Sequence, residues 1–152
     1  MDDKLLRKTK KDISISFNTV IFGLIKTANE KLNDADKKKI TKVKRKLRIA
    51  SRMKKDTIID ACYENILKSR NHIQNCDEEF FITKEKYDID EKAEDSNLAF
   101  DLIRIIKSTF PKLSEEEKTQ IWIQIQKLLL ESAKYQLNKK QIGDHKQIKK
   151  HN

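Results

Sequence analysis

Across 152 residues, Gly23, Gly143 and Pro111 are the only glycines and the only proline. Tight turns draw on glycine for left-handed backbone and on proline for a fixed φ. A sandwich or barrel needs such a turn every few residues, so this chain has too few turn formers for either. A Gly-rich phosphate loop is excluded for the same reason, since its backbone must approach the ligand closely. What remains is long helices joined by a few polar breaks. The expected fold is all-α: a compact bundle of four to five mostly antiparallel helices. The length fits one domain with a core that needs no disulfide or metal.

The apolar spacing places the helices. Ile13, Phe17, Val20, Ile21, Leu24, Ile25, Ala28 and Leu32 repeat at the helical period and predict a first helix over about 13–32. Residues 1–11 are polar and charged and read as a flexible arm. Asn33-Asp34-Ala35-Asp36 is a polar break. A second helix then buries Ile40, Val43, Leu47 and Ala50. Asp56 can cap a third, which buries Ile59, Cys62, Tyr63, Ile66 and Ile73. No Gly or Pro falls near Ser51, so the sequence leaves open whether these two helices are one kinked rod. A fourth starts near Ser96 and is stopped by Pro111, which lacks an N–H and clashes with a preceding helical turn. Ser114 and Glu117 form an S-x-x-E capping box for a fifth, which runs to about Leu137 and buries Ile121, Ile125, Leu128, Leu129 and Ala133. The domain is therefore expected over 12–137, with 138–152 a basic, disordered tail.

Charge is unevenly placed. The net charge is +10. From Lys37 to Lys55, eleven of nineteen residues are Lys or Arg and none is acidic. Lys38, Arg45 and Arg52 recur every seven residues opposite the apolar face, and Lys42, Arg48 and Lys55 flank them. Together these six form a stripe suited to an anionic partner, through phosphate contact and counterion release or through an acidic protein surface. No zinc-finger spacing, RNP motif or GXXG loop points to sequence-specific readout. The bland account is a solvated helix face in a lysine-rich chain. Residues 77–95 hold nine acidic side chains against three lysines and read as a short helical turn followed by a long acidic connection. That segment could meet the basic stripe within one chain or between copies.

Phe80 and Phe81 follow Asp77-Glu78-Glu79 directly. Adjacent aromatics on a short helical turn cannot both point one way. One can plug the core while the other anchors a protein interface with a charged rim. The D-E-x-F-F pattern of Asp77 to Phe81, together with Phe17-Asn18 in the first helix, resembles small helical proteins of large nucleocytoplasmic DNA viruses. The similarity would span about residues 15–137. It implies a helical fold and a viral setting, and carries no activity with it.

Nothing marks a catalytic or cofactor site. His72 and Cys76 stand four apart, but a structural zinc site wants four ligands and close cysteine pairs, and no C-x-x-C exists. Cys62 falls on the apolar face and reads as a small buried hydrophobe. No carboxylate stands in an apolar setting that would tune it for acid–base work. The expectation is no enzyme, no metal and no cofactor. Two unspaced cysteines and the absence of a leader-like apolar run in MDDKLLRKTKKDIS favour an intracellular protein, in cytosol, nucleus, viral factory or virion interior, and not a secreted one. The longest apolar runs, such as Leu128 to Leu130, are too short for a bilayer, so no membrane partner is expected. The leading functional expectation is a helical interaction protein, virion-associated or an assembly component, that joins a protein partner or itself through complementary basic and acidic surfaces. The alternative is a nonspecific nucleic-acid-binding accessory protein that uses the stripe.

Overall fold

The computed structural model describes residues 3–83 and 96–151. The fold is all-α. Among the described residues there are seven α-helices, one 3-10 turn and no strand. They are α1 (Asp3–Lys31), α2 (Asp34–Met53), α3 (Thr57–Lys68), α4 (Arg70–Gln74), α5 (Glu78–Thr83), α6 (Ser96–Thr109) and α7 (Glu115–His151), with the 3-10 turn Phe110–Lys112 between the last two. Of the acidic segment expected over 77–95, residues 84–95 lie outside the described residues.

The longest two helices form the spine. Lys31 of α1 pairs with Glu117 of α7. At the other end Asn138 Nδ2 donates to the Leu6 carbonyl at 3.1 Å, and His145 Nε2 lies 3.6 Å from the Asp3 carboxylate. These three contacts set α1 and α7 antiparallel along nearly their whole length. α2 and α3 pack on this spine and on α6. The common core holds Phe17, Ile25, Leu47, Ile58, Ile59, Phe110 and Trp122, with the last two rings 5.4 Å apart.

Both ends differ from the sequence reading. The first helix begins at Asp3, so residues 3–11 are helix and not an arm. The last continues to His151, so 138–151 is helix and not a tail. Leu6 is 2% exposed and Asn138 3%, so each segment owes its order to the other. A short helical stretch is marginal alone and is carried by tertiary packing. Ala133, expected in the core, is exposed.

The second and third helices are separate. Lys54 is extended at φ −148° and ends α2. Neither glycine nor proline makes this corner. Tertiary contacts to α1 hold it: Lys10 Nζ sits 3.0 Å from the Asp56 carboxylate, and Asn18 Nδ2 donates to the Lys55 carbonyl at 3.1 Å. Asp56 makes no side-chain capping bond to α3; its carboxylate is spent on Lys10. The Ser114–Glu117 box forms in both directions, with the Glu117 N–H donating to Ser114 Oγ at 3.2 Å and the Ser114 N–H donating to Glu117 Oε1 at 3.0 Å.

Candidate polyanion-binding face on α2

α2 is anchored by a narrow apolar edge. Ile40, Val43 and Leu47 are buried, and they recur at three and four residues. Asn33 caps the helix by accepting from the Asp36 N–H at 2.9 Å. Asp34 and Asp36 occupy the first turn, and no acidic residue follows within the helix. The exposed remainder of the helix is thereby left to cations, small polar groups and the two apolar side chains Ile49 and Met53.

Lys38, Lys42, Arg45, Arg48, Arg52 and Lys55 are all exposed. Among the described residues none of these six side chains takes part in an ion pair. Some lysines elsewhere are engaged. Lys46, on the flank of α2, pairs with Asp101 of α6 at 3.1 Å. Lys118 of α7 pairs with Glu78 of α5 at 2.9 Å. Lys46 and Lys118 each meet a carboxylate of a neighbouring helix, and the six on the outer face of α2 meet none among the described residues.

Two features escaped the sequence reading. Ile49 and Met53 are exposed within the basic face, Met53 at 73%. They are apolar residues off the buried edge, which is the signal that could have found them. Lys4, Lys8 and Lys11 are also exposed, and the Lys10–Asp56 and Asn18–Lys55 contacts put this part of α1 at the same end of the molecule as Arg52 and Lys55. Residues 1–11 carry no apolar helical period, so the sequence alone gives no sign of this convergence.

The other candidates are occupied internally. The Phe80 ring is half-buried and stacks on His72, with centroids 3.5 Å apart and planes 4° from parallel. The side chain of Phe81 lies outside the described residues. His72 Nδ1 is 2.9 Å from Asp77 Oδ2. That contact, with the Phe80 N–H donating to the same carboxylate, holds Asp77 below the usual carboxylate range. Gln126 Nε2 donates to Cys76 Sγ at 3.3 Å. Cys62 is buried in the core. Tyr135 is fully buried, and its hydroxyl donates to Asp60; burial first, and the Asp60 carboxylate next, push its ionisation far upward. These groups pin helices together.

A cavity of about 110 Å³ lies between α1, α3, α6 and α7. Its wall is aliphatic apart from Cys62, Phe110, Asn65, Ser69 and Thr109, and Thr109 Oγ1 is spent on the Ile105 carbonyl. Among the described residues no helix is long and apolar enough to cross a membrane. No protein-family model matches the chain, and neither does any curated protein or solved structure.

Proposed function

We propose that the protein is a non-enzymatic accessory protein that binds the phosphate backbone of nucleic acid along the outer face of α2. The observation that carries this is the open cationic face: six exposed Lys and Arg side chains along one helix and its end, with no ion pair among the described residues and no acidic residue after the first turn of α2. A helix of this length rises about 30 Å and can track several phosphates. Binding draws on counterion release and is nearly independent of sequence, because phosphate contacts carry no base information. On this reading the helices that carry α2 form a compact, mostly antiparallel bundle.

The test is fluorescence anisotropy with two duplexes of unrelated sequence. Arg45→Glu with Arg52→Glu should weaken both equally. Binding that differs strongly between duplexes, or that ignores the double substitution, counts against the reading.

The Lys46–Asp101 pair favours a second reading, since it is a carboxylate already docked against the side of α2. On that reading the stripe meets an acidic protein surface, in a virion-associated or assembly role within a viral setting. The same double substitution would then abolish the protein contact while duplex binding stays negligible in both forms.

A further inference from the structure

The side of the molecule formed by α1 and α7 has a different character from α2. Ile123, Leu130 and Leu137 are 44%, 54% and 58% exposed. They are seven residues apart and so make one straight ridge along the outside of α7. A heptad-spaced aliphatic ridge is the seam of a helix–helix contact, and no described element covers it.

The neighbouring groove on α1 is matched to it. The antiparallel register set by Lys31–Glu117, Leu6–Asn138 and Asp3–His145 places Gly23, Ser16 and Thr9 at the levels of Ile123, Leu130 and Leu137. These three small residues are also seven apart. Each aliphatic knob therefore lies beside a small-residue hole.

Gly23 is otherwise unexplained. It sits in mid-helix without a positive φ, and a Cβ there would meet nothing within 4 Å. Glycine in a helix interior costs stability relative to alanine, and nothing within the isolated chain requires that cost. Close approach of a second helix does. The groove between the helices, where Thr9, Asp12, Lys134, Leu137 and Gln141 form the wall, also contains Asn138. Asn138 is 3% exposed, and its Oδ1 has no hydrogen-bond partner.

We infer that this face is an interface between two copies of the chain, in which the Ile123-Leu130-Leu137 ridge of each copy packs into the Thr9-Ser16-Gly23 groove of the other. Knobs and holes on one surface are self-complementary, which is the condition for a two-fold contact. A two-fold axis parallel to the two helices keeps every level in register, so it sets Leu130 against Ser16, Ile123 against Gly23 and Leu137 against Thr9 of the second copy. The interface is separate from α2 and leaves the basic face of each copy outward.

Sedimentation equilibrium of the full chain from low to high micromolar concentration tests this. The weight-average mass should climb from 18.0 kDa toward twice that value, and high salt should leave it in place. Leu130→Lys should be monomeric throughout. So should Gly23→Leu, whose added side chain enters open space in the isolated chain. Thermal melts of the two variants at low concentration should match the native protein, which separates loss of contact from loss of fold. With Cys76→Ser as background, Leu130→Cys combined with Ser16→Cys should oxidise to a covalent dimer. A native chain that stays monomeric overturns the inference. So does a dimer that persists in either variant, or one that dissolves in salt and survives Leu130→Lys, since that dimer would belong to the charged surfaces.

Discussion

Asn138 of α7 donates its side-chain amide to the Leu6 carbonyl of α1 at 3.1 Å, across 132 positions of sequence. Both residues are buried, so this contact joins the first turns of α1 to the distal half of α7. Asn138→Ala should lower stability by about 1–2 kcal/mol, since it removes a buried hydrogen bond and leaves a gap. Hydrogen exchange should speed up in both 3–11 and 139–151 together. Faster exchange in one segment alone would mean the two are not mutually supported.

The opposite end is tied by Glu117. The Lys31 ammonium, with the Ser114 N–H, brings its carboxyl down to about 2 from an ordinary 4.5. A depressed folded-state value means that the contribution to stability is full above 4.5 and is lost as pH falls toward 2. Glu117→Gln should therefore be less stable than the native chain at neutral pH, with the difference shrinking through that acid window. Thermal melts of both proteins across the window measure it. A difference that is constant with pH would remove the ion pair from the account.

Cys76 has φ of 50°, in the left-handed region that favours glycine. The position closes α4: the Cys76 N–H donates to the Ile73 carbonyl and the Asp77 N–H to the His72 carbonyl. Cys76→Gly should stabilise the protein by about 0.5–1 kcal/mol by relieving the backbone. Cys76→Ala keeps that backbone cost, loses the Gln126 contact and should bring no gain. Equal effects of the two substitutions in denaturant titrations would locate the cost elsewhere.

Periodicity made the helices legible where a helix carries its own apolar face, as at Ile13, Phe17 and Ile21, and local chemistry made the Ser114–Glu117 box legible. The helix ends were not, because a single apolar residue, Leu6, and a single amide, Asn138, hold them through partners far along the chain. The α2–α3 corner was likewise invisible, being fixed by Lys10 and Asn18 of α1 and by no turn former. The basic stripe could be read directly, since no acid interrupts it. Its openness could not, because whether a lysine is paired depends on a neighbour such as Asp101, 55 positions from Lys46. The Ile123-Leu130-Leu137 ridge was hidden by the core residues interleaved with it on α7.

The central claim is that the α2 face neutralises phosphates. Its most direct test is the salt dependence of duplex affinity for the intact chain, read by anisotropy. With about five phosphates neutralised, log K should fall linearly against log[salt] with a slope of about −4.5. Arg45→Glu with Arg52→Glu should make that slope shallower. A flat salt dependence, or no duplex binding by the intact protein even at low salt, would contradict the account.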